Sequence, residues 1–145
     1  AQHKDILRRT ARPLVMTPHA GEFARLSGKK QMQPEELCAF AQENRCTVLY
    51  KAHRTLIAAP DGRLFRNHTG NPGMAKGGSG DTLAGMLVSL IGQGLAPEDA
   101  ACAAAWLHGA AGDSAANRYG EYGMTPTDLL ACLPGVTRRY NTREW

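Results

Sequence analysis

A chain of 145 residues with 43% hydrophobic and 21% charged residues has enough apolar sequence for one domain with a real core. The net charge of +4 comes from scattered basic pairs rather than from a continuous basic stripe with interleaved aromatic residues, which argues against nucleic-acid binding. No apolar run reaches transmembrane length and no signal peptide opens the chain, so we expect no membrane association and a cytoplasmic location.

Cysteines and histidines give no metal or disulfide pattern. Cys38, Cys46, Cys102 and Cys132 lie far apart and form no Cys-x-x-Cys pair. We therefore expect free thiols, with Cys102 and Cys132 acting as small core residues. The five histidines likewise lack the spacing of a metal site.

The first half of the chain predicts short strands and helices in alternation. Residues Ala1 to Arg12 read as a polar, basic helix, and Gly28 and Pro34 mark a helix end and a helix start. The predicted elements that follow are a strand over 14–16, helices over 22–27 and 34–44, strands over 47–50 and 55–59, and a hairpin through Pro60-Asp61-Gly62 to a strand over 64–67.

The second half predicts three helices, over 81–93, from Pro97 to about Asn117, and from Thr125, a plausible N-cap. Small residues and a histidine share one face of the second: Ala101, Ala104, Ala105, His108 and Gly112. The alternation of strands and helices predicts an α/β fold, a layered sheet with helices on both faces.

The run from Gly70 to Asp81 is the most informative segment, Gly-Asn-Pro-Gly-Met-Ala-Lys-Gly-Gly-Ser-Gly-Asp. So many glycines exclude a strand or helix interior, and the run ends where a helix begins. Unpaired amides and the positive end of the helix dipole at such a point favour a phosphate. An ordinary turn, with Ser79 or Asp81 as the N-cap, is the alternative.

Asp81 is unusual beside an anion site because its carboxylate would repel phosphate. It makes chemical sense as a base that takes a proton from a hydroxyl attacking phosphorus. We predict Asp81 as the catalytic base, with the amides of Gly78, Ser79 and Gly80 as the anion hole. We also expect Ala84 and Gly85 to pack closely behind this loop.

This long run resembles the signature of the ADP/ATP-dependent NAD(P)H-hydrate dehydratases of the ribokinase-like superfamily. Thr17-Pro18-His19-Ala20-Gly21-Glu22 and the segment from Val48 to Gly62 resemble two further elements of that family, in the right order. The resemblance implies a ribokinase-like fold, of which 1–145 would be the C-terminal part of the domain. Each motif follows a predicted strand, so all three can converge on one site.

The resemblance also implies residue roles. Gly80 would face the nucleotide and Asp81 the hydrated nicotinamide cofactor, with His19 and Asn71 also contacting that substrate. The nucleotide pocket would be lined by Lys51, Ala52, His53, Arg54 and Thr55. A turn-stabilising role for His19 and simple solvent exposure of Lys51 stay open.

The implied reaction is cofactor repair. ADP or ATP, with Mg²⁺, phosphorylates the hydroxyl of hydrated NADH or NADPH, and elimination of phosphate restores the reduced ring. Family members tend to self-associate and work beside an NAD(P)H-hydrate epimerase. A sugar or vitamin kinase of the same superfamily, or a non-catalytic nucleotide-binding subunit, remains an alternative.

Two positions depart from the family pattern. Lys76 stands where a threonine or serine is common, and its charge could aid phosphate binding or point to solvent. The segment from Lys51 to Thr55 lacks the glycines often found there, so its pocket could differ in shape.

Overall fold

The computed structural model describes residues 13–29 and 32–139, together with Leu7. Apart from Leu7, the helix predicted over residues 1–12 lies outside the described residues. Four strands form one sheet in chain order: β1 (Val15–Met16), β2 (Thr47–Tyr50), β3 (Leu56–Ala58) and β4 (Leu64–Arg66). β1 runs parallel to β2, with Val15 opposite Thr47, and the other pairs are antiparallel.

Five α-helices accompany the sheet in the described part of the chain: α1 (Ala20–Ser27), α2 (Pro34–Asn44), α3 (Ser79–Gly92), α4 (Pro97–Gly123) and α5 (Pro126–Arg139). A short 3₁₀ helix, Pro72–Met74, lies inside the glycine-rich loop. Gly28 ends α1 in the left-handed conformation, φ 79°, as predicted. Thr125 and Asp128 cap the start of α5 by exchanging hydrogen bonds.

The two central strands, β2 and β3, are buried on both faces, as the alternation predicts, whereas β4 has exposed residues at its ends. Leu49 and Ile57 face a core built from α3, α4 and α5. Val48 and Leu56, on the other face, pack with Phe23 and the buried residues of α2. Because successive residues of a strand point to opposite faces, two cores can share these short strands. This confirms the α/β layering with helices on both faces.

Two helix predictions need correction. α4 extends past Asn117 to Gly123 and bends at Gly120, whose φ of 75° and ψ of 154° are not helical. Gly85 does not pack behind the loop: it is exposed, and a Cβ added there would meet nothing within 4 Å. Its place on α3 faces away from α4, which contacts Leu83, Met86 and Leu87 instead.

Across the described ranges, no helix is both long enough and apolar enough to span a bilayer.

Candidate active site

The glycine-rich loop lies along α4, held by contacts that run up one side of that helix. The Asn67 amide donates to the Ala105 carbonyl at 3.1 Å, and the Thr69 hydroxyl donates to the Trp106 carbonyl at 3.0 Å. Gly109 has no room for a side chain, because a Cβ there would overlap Thr69. Gly109, which was not among the small residues predicted on one face of α4, therefore makes space for this segment.

The loop continues along α4 towards the end of that helix. A Cβ at Gly112 would overlap the Met74 thioether, and one at Gly73 would lie 2.6 Å from the Glu121 carbonyl oxygen. Both glycines are buried. Close backbone approach, rather than flexibility, is what they provide here.

A tight turn then delivers the chain into α3. The Ser79 amide donates to the Lys76 carbonyl at 3.3 Å, and Gly78 has φ 93° and ψ −21°. This is the geometry of a type II turn, whose third residue needs a positive φ and hence glycine. The turn occupies the Ser79 amide, so that part of the predicted anion hole needs revision. The amides of Gly80 and Asp81 follow it, before the first intrahelical bond, from Thr82 to Gly78.

A cavity of about 610 Å³ opens at this end of α3. Ser79 and Gly80 line it, whereas Gly78 lies against Pro126 and outside the lining. One wall is the segment from Lys51 to Thr55, and another is the loop residues Asn67, Thr69, Gly70 and Asn71. Its volume is in the range of small-molecule and cofactor sites. The three motifs found in the sequence thus meet around one space, as their positions after strands predicted.

Lys51 lies over the start of α3. A Cβ placed on Gly80 would be 3.5 Å from the Lys51 ammonium nitrogen. The Lys51 side chain is only 30% exposed, and its ammonium lies 3.8 Å from Glu22. Simple solvent exposure is therefore not the right description. The ammonium adds positive charge where the helix dipole is already positive, which suits an anion.

Glu22 is part of the same group and stays ionised. A hydrogen bond from the His19 backbone amide lowers the pKa of this carboxyl; desolvation opposes it, and the charges of Lys51, His19 and Arg25 add to the lowering. The ionised carboxylate lies 3.8 Å from the Lys51 ammonium, on the side of the cavity lined by Lys51.

His19 has a structural role. It is the N-cap of α1: its Nδ1 accepts from the Glu22 amide at 3.3 Å, and its own amide donates to Glu22 Oε2 at 2.7 Å. This reciprocal arrangement is a capping box. His19 also lines the cavity, 54% exposed, so substrate contact stays a prediction alongside the turn-stabilising role.

Asp81 lies in the first turn of α3, exposed, next to Gly80 and outside the lining of the cavity. The carboxylate therefore does not point into packed hydrocarbon. Its neighbour Gly80 lines the cavity, while Asp81 itself is open to solvent. Its role as a base stays a prediction.

Asn71 is held by the protein itself. Its carbonyl oxygen accepts from the Gly73 amide at 3.0 Å, and its amide donates to Asp113 at 2.9 Å. Asn71 lines the cavity, so a substrate contact stays a prediction, but its polar atoms already have partners.

The Lys76 ammonium is anchored at the end of α4 and does not point to solvent. It donates to three carbonyl oxygens at the end of α4, those of Glu121 (3.1 Å), Tyr122 (2.9 Å) and Met124 (2.5 Å). A cation at a helix C-terminus is stabilised by unpaired carbonyls and by the dipole. The interpretation that Lys76 points to solvent was therefore wrong; Lys76 also lines the cavity, and an aid to phosphate binding stays a prediction.

Several residues of the site escaped the sequence reasoning. His108 was assigned to helix packing; it is 8% exposed and lines the cavity with Ala105 and Gly109. Burial lowers its pKa, opposed in part by a hydrogen bond with the Ser79 backbone. Asp113 also went unnoticed, although a lone carboxylate among alanines and glycines on a packing face was a usable signal.

The cysteines are free, as expected, and burial raises the pKa of the Cys46 thiol to about 11. Among the described residues, no three His, Cys, Asp or Glu side chains lie together in a way that could hold a metal ion.

Comparison with known proteins supports this geometry. The sequence profile of a family described as NAD(P)H-hydrate dehydratase matches residues 1–135. The bifunctional NAD(P)H-hydrate repair enzyme of Moorella thermoacetica is 52% identical over 131 residues, which are 87% of this chain and 25% of that protein. The ADP-dependent (S)-NAD(P)H-hydrate dehydratase of Bacillus subtilis is 33% identical over 133 residues, 88% of this chain and 48% of that protein.

Solved structures agree. The ADP/ATP-dependent NAD(P)H-hydrate dehydratase of Bacillus subtilis, co-crystallised with ATP and Mg²⁺, superposes with a TM-score of 0.83 at 33% identity, covering 92% of this chain and 52% of that one. Arabidopsis thaliana ribokinase, 14% identical with a TM-score of 0.54, shares the fold. The chain thus spans about half the length of the single-function dehydratase, in a ribokinase-like fold. With its profile match and the glycine-rich loop, it belongs to the NAD(P)H-hydrate dehydratase family.

Proposed function

We propose that this chain forms the nucleotide side of an active site that dehydrates hydrated NADH or NADPH at the expense of ADP or ATP. The observation that carries the proposal is the meeting of the α3 N-terminus, Gly80 and the Lys51 ammonium at the mouth of one cavity. The names of the relatives, ADP-dependent (S)-NAD(P)H-hydrate dehydratases, support it.

The cavity offers a nucleotide two kinds of contact. Its floor is made of small or apolar residues, Leu83, Ala105 and Gly109, which leave room for a flat aromatic base. Its mouth has the first-turn amides of α3 and the Lys51 ammonium, which suit phosphate oxygens. The nucleotide would therefore lie with its base inward, along residues 51–55, and its terminal phosphate at Gly80.

Mg²⁺ would enter with the nucleotide. The described residues supply no cluster of three metal ligands, and Mg²⁺ in such sites is commonly held by substrate phosphates and water with few protein ligands. When bound, the ion would neutralise charge on the phosphate oxygens.

The chemistry that follows needs one base. The substrate hydroxyl would give its proton to the Asp81 carboxylate while its oxygen bonds to the terminal phosphorus, and the bond to the leaving nucleotide oxygen breaks. The ring-nitrogen electron pair then expels phosphate, and loss of a proton from the adjacent carbon restores the reduced ring. The protein contributes positioning and charge stabilisation, the usual case in phosphoryl transfer.

Other predicted partners stay proposals. Relatives named as bifunctional repair enzymes fit a working partnership with a hydrate epimerase, and self-association is expected from the family resemblance.

The testing experiment follows the product. Hydrated NADPH, ADP and Mg²⁺ are incubated with the chain, alone and with the N-terminal half of a relative's domain, and the absorbance of the reduced ring and released phosphate are recorded. Recovery of the absorbance with one phosphate per ring supports dehydration. A stable phosphate ester of another small molecule would favour a kinase. ADP binding without turnover, both for the chain alone and with the added N-terminal half, would favour a non-catalytic subunit.

A further inference from the structure

Asp113 joins the long helix to the glycine-rich loop. It lies on α4, half-buried, and its two carboxylate oxygens accept from two consecutive loop residues, the Gly70 backbone amide and the Asn71 side-chain amide, each at 2.9 Å. The contacts span 43 and 42 residues of sequence. They fix the loop to the helix where the loop turns towards α3.

The donor and acceptor pattern is fully specified. The Asn71 carbonyl oxygen accepts from the Gly73 backbone amide at 3.0 Å, so the amide nitrogen of the side chain must face Asp113. The side chain at position 113 must therefore accept hydrogen bonds with both of its terminal atoms, from Gly70 and from Asn71. A carboxylate can do this and a carboxamide cannot.

The fixed segment leads directly to the site. Gly70 and Asn71 line the cavity themselves, and nine residues further on the chain reaches Gly80 and the start of α3. At the far end of the loop, Lys76 is anchored to the last carbonyls of α4. The position of the α3 amides relative to the nucleotide wall thus depends on how the loop lies on α4.

We propose that Asp113 is a positioning residue for phosphoryl transfer: it holds the loop so that the first-turn amides of α3 face the transferred phosphoryl group. This rests on the proposed function. A small displacement costs the transition state more than it costs nucleotide binding, because the transition state requires the closer alignment. Loss of Asp113 should therefore lower kcat more than it weakens ADP binding.

A donor–acceptor exchange tests the idea. In Asp113→Asn two amides face each other, and in Asn71→Asp two carboxylates do. In the double variant, which combines both substitutions, the new carboxamide at position 113 would donate to the new carboxylate at position 71 and accept from the Gly70 amide. That carboxylate would still accept from the Gly73 amide. Asp99→Asn is the control, since it removes the same charge from an exposed site on α4.

Three readouts are taken on all four variants: exchange of the Gly70 amide with deuterium, the Kd for ADP, and kcat. We expect each single variant of the pair to raise Gly70 exchange at least tenfold and lower kcat at least tenfold, with the ADP Kd changed less than threefold. The double variant should return Gly70 exchange to within threefold of wild type. Its kcat should rise at least threefold above that of Asn71→Asp, which carries the same change at the position where a substrate contact is predicted.

A double variant whose Gly70 exchange and kcat stay at the level of Asn71→Asp would overturn the proposal, as would single variants with raised exchange but wild-type kcat. If the wild-type chain showed no turnover in any setting, the proposed function would fail. The exchange rates would then still test the hydrogen bond between Asp113 and Gly70. Unchanged Gly70 exchange in Asp113→Asn would show that this contact does not hold the loop.

Discussion

Gly109→Ala tests the close approach between α4 and the loop. An added Cβ would overlap the Thr69 hydroxyl and lie 2.6 Å from the Thr69 carbonyl carbon, where ordinary contact begins at 3.4 Å. A hydroxyl can rotate away, but backbone cannot. The loop must therefore move by roughly the difference, about 0.8 Å, at Thr69.

The expected cost can be assembled from separate terms. Overpacking costs about 1–3 kcal/mol, and loss of the Thr69–Trp106 hydrogen bond about 1 kcal/mol. Alanine has a higher helix propensity than glycine, which offsets about 1 kcal/mol of this cost. The net is a destabilisation of about 2 kcal/mol, which corresponds to a fall in Tm of roughly 4–8 °C for a domain of this size.

Gly85→Ala is the matched control, because a Cβ there meets nothing within 4 Å. Only the propensity gain applies, so its Tm should rise by about 2–4 °C. Thermal unfolding followed by circular dichroism measures both, and titration with ADP measures the effect on the cavity. If Gly109→Ala is as stable as Gly85→Ala and binds ADP like wild type, the close approach at Gly109 does not determine the position of the loop.

Three further results are expected. Lys51→Gln should raise the ADP Kd roughly tenfold or more, since hydrogen bonds to charged groups contribute about 1.5–3 kcal/mol. Calorimetry should find no such change in Lys29→Gln, and equal ADP affinities of Lys51→Gln and wild type would show that Lys51 is not part of the site. Lys76→Met should lower Tm by about 4–8 °C through the lost cap of α4, a cost of about 2 kcal/mol, and an unchanged Tm would contradict that cap. Burial holds the folded-state pKa of His108 below its unfolded value of 6.5, so the unfolded state takes up protons first and stability falls as pH drops below about 6.5. Between pH 7 and pH 5, urea unfolding should show a smaller loss of unfolding free energy in His108→Gln than in wild type, and an equal loss would count against this cause.

The sequence predicted the elements well because their signals are local. Pro34 opens α2, Gly28 ends α1, and Pro60-Asp61-Gly62 turns the hairpin between β3 and β4. The Thr125–Asp128 cap also depends on residues three apart. Such signals are read within a few neighbouring residues.

The sequence did not predict what the loop contacts. Lys76 meets carbonyls 45 to 48 residues away, and Asp113 meets Gly70 across 43. No local pattern encodes such pairs, because they depend on how α4 packs beside α3. Gly85 shows the opposite error: a glycine in a helix suggested close packing, and its position on the exposed face refuted it.

The junction between the glycine-rich loop and α3 was predicted in place, but its unpaired amides were not. Glycines before a helix start indicated the junction correctly, yet the Ser79 amide is used by the turn that only Gly78 permits. Positive charge beside Gly80 comes from Lys51, whose ammonium also lies 3.8 Å from Glu22 of another motif. Which amides remain for a ligand is decided by the fold.

The most direct test of the central claim is a comparison of wild type with Asp81→Asn. Turnover of hydrated NADPH with ADP and Mg²⁺ is measured beside the Kd for ADP, with the N-terminal half of a relative's domain supplied to both proteins. Loss of a catalytic base from an intact site predicts a rate reduced about a hundredfold or more, with ADP affinity within a few-fold of wild type. A variant that restores the reduced ring at the wild-type rate would show that Asp81 is not the base.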